Sequence, residues 1–198
     1  MRPRRFGDAG QAFPIYITVV GGLLFLALAY LAVGQAGANR SGAQTAADAA
    51  ALAAAQDRRD QLAGQWVKDV LDPKKWLDIF HGSVEGLTPS CGRATQLAAQ
   101  NDASLLDCVP QGLLGYTVEV ETNKPVGDSI VPGTENQKSR ASATAVIESR
   151  CTFKPPAEDA EDGVLPRLTC GDEFWDLDPK KLTDLPEPQD LFDVHLAD

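Results

Sequence analysis

The longest apolar run of the chain lies near its N-terminus. No charged residue occurs between Asp8 and Arg40, and residues 13–33 read FPIYITVVGGLLFLALAYLAV. At about 1.5 Å per helical residue this run is roughly 30 Å long, which matches the hydrocarbon core of a bilayer. Its Leu, Ile, Val and Phe residues contribute roughly −4 to −7 kcal/mol to insertion. Pro14 falls in the first turn, where a missing N–H is best tolerated. The pattern predicts a transmembrane helix over residues 12–36.

A second pattern of small residues follows the apolar run. Alanine recurs every four residues along the next segment, and no proline occurs between Ile15 and Asp72. Alanine is the strongest helix former, so we expect the first helix to continue as an Ala-rich helix over residues 37–72. Small residues at this spacing allow close helix approach. We therefore expect a helix-packing face toward other subunits, made of Ala43, Ala47, Ala51 and Ala55. The alternative is a solvent-exposed stalk.

The hydrophobic period changes from helical to alternating in the second half of the chain. Residues 115–123 (GYTVEVETN) and 139–153 (SRASATAVIESRCTF) alternate apolar and polar positions, as half-buried strands do. The two could pair as antiparallel strands across a loop at residues 124–138. Residues 73–153 are therefore expected to form a small α+β head. Residues 154–198 are acidic and rich in proline, which predicts a linker and a partly disordered C-terminal region.

Charge is distributed unevenly around the apolar run. The chain has 18 basic and 28 acidic residues, a net charge of −10. Arg2, Arg4 and Arg5 precede the run with only Asp8 opposing them, so the remainder has 15 basic and 27 acidic residues, a net charge of −12. The positive-inside bias places residues 1–11 in the cytoplasm and the C-terminal region outside the membrane. The acidic remainder argues against nucleic acid as a partner.

Four cysteines follow the apolar run: Cys91, Cys108, Cys151 and Cys170. None forms a C-x-x-C pair, and an even count in an exported region favours disulfides over metal binding. Of the three pairings, Cys91–Cys108 and Cys151–Cys170 close the shortest loops, each worth roughly 3 kcal/mol under the chain-entropy model. The alternative is four buried free thiols.

Residues that could support catalysis are sparse. The two histidines, His81 and His195, lack a motif context, and the sequence contains no G-x-S-x-G, Walker A or G-x-G-x-x-G pattern. Acidic residues near Cys170 lack the spacing of an EF-hand. We therefore expect no enzymatic activity, no cofactor and no metal site.

The N-terminal segment resembles the corresponding module of Flp pilus-assembly proteins of the TadE/TadG type, from the tight-adherence (Tad) system. The resemblance is carried by the Arg-rich start, by Gly10-Gln11-Ala12, by the apolar run and above all by the string AADAAALA at residues 46–53. It implies a single-pass membrane component of a Flp/Tad-type pilus or secretion assembly. Its partners would be membrane lipid and other pilus or Tad-type membrane subunits, or a second copy of the chain.

Two features depart from relatives of this type. The chain is too short for the long C-terminal domain of larger TadG-like proteins. The fifth position after Gly10 is Ile15 rather than the glutamate of processed pilins, which favours an unprocessed anchor. A second hypothesis is a secreted binding module, released by signal peptidase after Ala38, because Ala36-Gly37-Ala38 fits an A-x-A site.

Overall fold

The computed structural model describes residues 12–125, 136–155 and 165–197. The predicted cytoplasmic N-terminus, most of the loop at 124–138 and most of the acidic linker therefore lie outside the described residues. The first element is a single helix, α1 (Ala12–Lys68), of 57 residues. It joins the apolar run to the Ala-rich segment without a break, as the sequence predicts.

The remaining elements form an α+β head around the second half of α1. The helices are α2 (Pro73–Phe80), α3 (Cys91–Gln100) and α4 (Pro188–Leu191). The strands are β1 (Ala103–Pro110), β2 (Gly115–Thr122), β3 (Arg140–Ser149), β4 (Cys151–Phe153), β5 (Leu168–Cys170), β6 (Glu173–Trp175) and β7 (Phe192–Leu196). One antiparallel sheet has the order β1-β2-β3-β7, and a smaller one has the order β4-β5-β6.

The predicted strand pair is the centre of the larger sheet. Val118 lies opposite Ala143 and Tyr116 lies opposite Ala145, in antiparallel register. These four side chains are buried, whereas Thr117 and Glu119 on the other face are only partly buried. The alternation therefore places one face of the sheet against α1 and leaves the other toward solvent, which confirms the strands predicted from the period of two.

The core of the head changes in character along α1. Near the apolar run it consists mainly of alanine, and toward the end of the helix it becomes aromatic. Trp66 and Trp76 are fully buried, with ring centroids 5.4 Å apart, and the Trp76 ring lies 5.2 Å from that of Phe153. The Trp76 indole N–H also donates to the Asp69 carbonyl over 3.2 Å. This cluster fixes α2, which begins at Pro73, against the end of α1.

The C-terminal region differs from the sequence-based expectation. The head was expected to end at residue 153, but β7 pairs with β3 and thus completes the larger sheet. Leu191 and Phe192 have no exposed surface, and the Phe192 ring lies 5.7 Å from that of Phe80. The head therefore extends to Leu196. Apolar burial orders this segment despite its acidic composition, because two large side chains enter the core.

Candidate membrane-spanning and packing surfaces

The apolar run forms a helical rod that the rest of the described chain leaves uncovered. We call residues 13–33 the apolar rod. Apart from Val20, which is partly buried, its large hydrophobic side chains are exposed, from 50% at Leu28 to 80% at Tyr30. Soluble monomers rarely expose a continuous apolar surface of this size. By length and composition the rod can cross a membrane. This is the first candidate functional surface.

Aromatic side chains stand near both ends of the apolar rod. Phe13 and Tyr16 lie at its start and are 70% and 69% exposed, and Tyr30 lies three residues before Val33. Tyrosine is enriched at membrane–water interfaces because its ring is apolar and its hydroxyl is polar. The placement therefore suits a helix whose two ends meet the two interfaces.

A short helical neck joins the rod to the head. The neck consists of residues 34–38 (Gly-Gln-Ala-Gly-Ala), and all five are exposed. The first described side-chain hydrogen bond to the head comes at Asn39, whose Nδ2 donates to the Lys124 carbonyl over 3.2 Å. The Thr122 hydroxyl donates to Asn39 Oδ1 over 3.3 Å. Asn39 lies about 9 Å along the helix from Val33, so the head begins close to the end of the rod.

The alanine face does not point outward. Ala43, Ala47, Ala51 and Ala55 all have 0% exposed surface within the single chain. Here α1 packs on β2, β3, β7 and α3. The expected role of these alanines as a docking face for other subunits is corrected accordingly: the surface that covers them belongs to the same chain.

The sheet that faces α1 explains why this part of the helix carries small residues. Along β3, Ala143 and Ala145 are buried on the face toward the core, and Ala141 is partly buried. Alanines on both sides let the helix backbone approach the sheet closely. The four-residue repeat thus identified a close-packed face correctly, but did not indicate that a sheet covers it.

Two disulfides fasten the periphery of the head. Cys91 at the start of α3 is joined to Cys108 on β1, and Cys151 on β4 is joined to Cys170 on β5. This is the pairing that closes the shortest loops, as predicted from the sequence. The first bond ties α3 to β1, the edge strand of the larger sheet. The second bond joins two cysteines that lie opposite each other on the paired strands β4 and β5. Each constrains a short loop of the unfolded chain.

Charged groups on the head form local pairs. Lys75 Nζ lies 2.7 Å from Asp69 Oδ1, and Gln65 also donates to this carboxylate. These hydrogen bonds, first that of Lys75, lower the pKa of Asp69 below its ordinary value. Farther along the chain, Arg167 donates from Nε and Nη2 to the two oxygens of the Asp176 carboxylate, at 2.6 and 2.8 Å, and lowers the pKa of that group. Both pairs link neighbouring segments of the head.

The two histidines lie on different elements of the head. His195 on β7 is exposed, with its Nδ1 3.0 Å from Asp193 Oδ2, and His81 follows the end of α2. Within the described ranges, His, Cys, Asp and Glu side chains form no group of three or more that could hold a metal ion. The uncovered rod is therefore the most prominent candidate surface among the residues described.

An uncovered apolar helix that runs unbroken into a disulfide-containing α+β head is compatible with a single-pass membrane protein. Comparison with known families indicates which kind of membrane protein the N-terminal segment is similar to. Residues 10–57 match the family model described as putative Flp pilus-assembly TadE/G-like. The match covers the rod, the neck and the alanine repeat, and it confirms the resemblance of the N-terminal module. No curated protein and no solved structure is significantly similar to the chain.

Proposed function

We propose that this protein is a single-pass membrane component of a Flp/Tad-type pilus or secretion assembly. The observation that carries the proposal is the uncovered apolar rod, which lies inside the segment that matches the TadE/G-like model. A rod of this length exposes too much apolar surface to remain in water. A bilayer covers it without any change in the head.

The orientation that fits best places the head outside the cytoplasm. Its two disulfides are stable in an oxidising compartment and rare in the cytosol. The positive-inside bias, with Arg2, Arg4 and Arg5 before the rod, favours the same direction. Two independent physical arguments thus support a cytoplasmic N-terminus.

We further propose that partner subunits pack against the rod rather than against the alanine face. The head already covers Ala43, Ala47, Ala51 and Ala55, so that face is not available to a neighbour without opening the fold. In lipid, helices associate through van der Waals packing and hydrogen bonds, not through exclusion of water. The partners would be other Tad-type membrane subunits or a second copy of the chain.

A site-specific crosslinking experiment tests both parts of this proposal. A photo-crosslinking residue replaces Leu24, which is 61% exposed on the rod, and a matched one replaces Gln56, which is exposed on α1 beside the head. The membrane fraction is then irradiated and crosslinked proteins are identified by mass spectrometry. We expect Tad-type subunits or the chain itself at position 24. Crosslinks to lipid alone at position 24, or to the same subunits only at position 56, would contradict packing through the rod.

The alternative function is a secreted binding module released after Ala38. One observation favours it: the neck is exposed, and the first described side-chain hydrogen bond to the head comes at Asn39. Cleavage at the end of the neck would leave every described contact of the head intact. Protein in the medium that begins at Asn39 supports this alternative, and protein in the membrane that contains residues 13–33 supports the anchored component.

A further inference from the structure

The neck is the part of α1 between the head and the segment that the proposed membrane would cover. Residues 34–38 are all exposed, and no described atom would lie within 4 Å of a Cβ added at Gly34 or Gly37. On one side the hydrocarbon of the proposed membrane would stabilise the helix. On the other side Asn39 is bonded to the end of β2, and Ala43 is fully buried.

The composition of the neck weakens the helix at the same place. Glycine destabilises a helix interior relative to alanine, and sharp kinks in helices commonly fall at glycine. Two glycines three residues apart, with no described part of the chain packed against either, make the neck the weak point between two stabilised segments. Gly42 is also exposed but lies next to the buried Ala43, within the part of α1 that the head supports.

We propose that the neck is a hinge that lets the head change its angle relative to the membrane-spanning rod. The inference rests on the proposed function, since it assumes a rod held in lipid. Because the head begins only about 9 Å above the rod, a bend in the neck reorients the head as one body. Such a hinge would allow the head to meet an assembly partner while the rod keeps its own tilt in the bilayer.

Distance measurements across the neck test the proposal. Spin labels are attached to cysteines introduced at Leu28 on the rod and at Gln56 on the head side of α1, both exposed. The full chain is placed in lipid nanodiscs, and its native cysteines remain paired. A straight helix separates these positions by about 42 Å. A hinge gives a broad distribution of distances that extends well below this value.

Two matched variants test whether the glycines of the neck cause the broad distribution of distances. Gly34→Ala with Gly37→Ala raises the equilibrium constant between the helical and the bent neck roughly fivefold to thirtyfold, so the distribution of distances should narrow toward about 42 Å. Gly42→Ala adds the same methyl group within the supported part of α1 and should leave the distribution unchanged. A narrow distribution in the unmodified neck overturns the hinge. So does a broad distribution that the double variant does not narrow, or one that Gly42→Ala narrows equally.

Failure of the hinge can be distinguished from failure of the proposed function. If the native protein lacks residues 13–33, the anchored role fails, and mass spectrometry of the purified chain shows it. If residues 13–33 are present and the distance distribution is narrow, the anchor stands and only the hinge is lost.

Discussion

The substitution Ala47→Leu separates packing within the chain from packing between subunits. Ala47 has no exposed surface and belongs to the core cluster of the head. A leucine adds three carbon atoms where α1 lies close to its own sheet. Overpacking a dense interior destabilises a protein by about 1–3 kcal/mol. We therefore expect the free energy of unfolding of the isolated chain to fall by an amount in that range.

The assay uses the full chain in mild detergent and follows urea unfolding by tryptophan fluorescence. Trp66 and Trp76 are completely buried, so their emission reports on the head. With a denaturant dependence of about 1–3 kcal/mol per molar urea, a loss of 2 kcal/mol lowers the midpoint by roughly 1 M. Gln56→Leu is the control, since position 56 is exposed on the same helix. This control should change the free energy of unfolding by no more than about 0.5 kcal/mol.

One result would refute the reasoning. If Ala47→Leu unfolds at the same urea concentration as the unmodified chain and the control, the alanine repeat does not pack on the head. The repeat would then be free to serve as the subunit-docking face that the sequence alone suggested.

Three further predictions concern the stability of the head. Replacing Cys151 and Cys170 together by serine should lower stability by roughly 3 kcal/mol, and no loss would show that the bond does not form. Phe192→Ala should lower stability by about 3–5 kcal/mol and speed hydrogen exchange along β3, whereas unchanged exchange would contradict the docking of β7. The pKa of Asp69 is lowered in the folded state, so its stabilising contribution is present above pH of about 4 and is lost as the pH falls through the folded value. Asp69→Asn should therefore remove part of the acid sensitivity; an identical pH profile in both proteins would argue against the Lys75 interaction.

Local patterns in the sequence predicted several elements well. The apolar rod and the unbroken helix follow from length, composition and the absence of proline, all of which act within one segment. Strands β2 and β3 follow from a period of two sustained over most of each strand. The disulfide pairing could be predicted because both bonds close loops of fewer than 20 residues.

Other features depend on distant parts of the chain. The period of Ala43, Ala47, Ala51 and Ala55 shows that one face is small, but it cannot show whether a partner helix or the chain's own sheet covers that face. Strand β7 has only five residues after a proline-rich segment, and its order comes from pairing with β3. Strand β1 was not predicted; a bulge between Leu105 and Asp107 interrupts its alternation.

The hydrogen bonds of Asn39 to the head were also not predicted from the sequence. A single polar residue after a run of small ones carries no periodic signal, and its role depends on the end of β2, more than 80 residues later. The boundary between neck and head therefore became visible only in the fold.

In the proposed role, residues 13–33 remain attached to the head and lie in the membrane. Mass spectrometry of the native protein in the alkali-washed membrane fraction tests this directly. We predict that the intact chain is found there, with peptides from residues 13–33 covalently continuous with the Ala-rich segment. A native chain recovered in the aqueous fraction that begins at Asn39 would contradict the account.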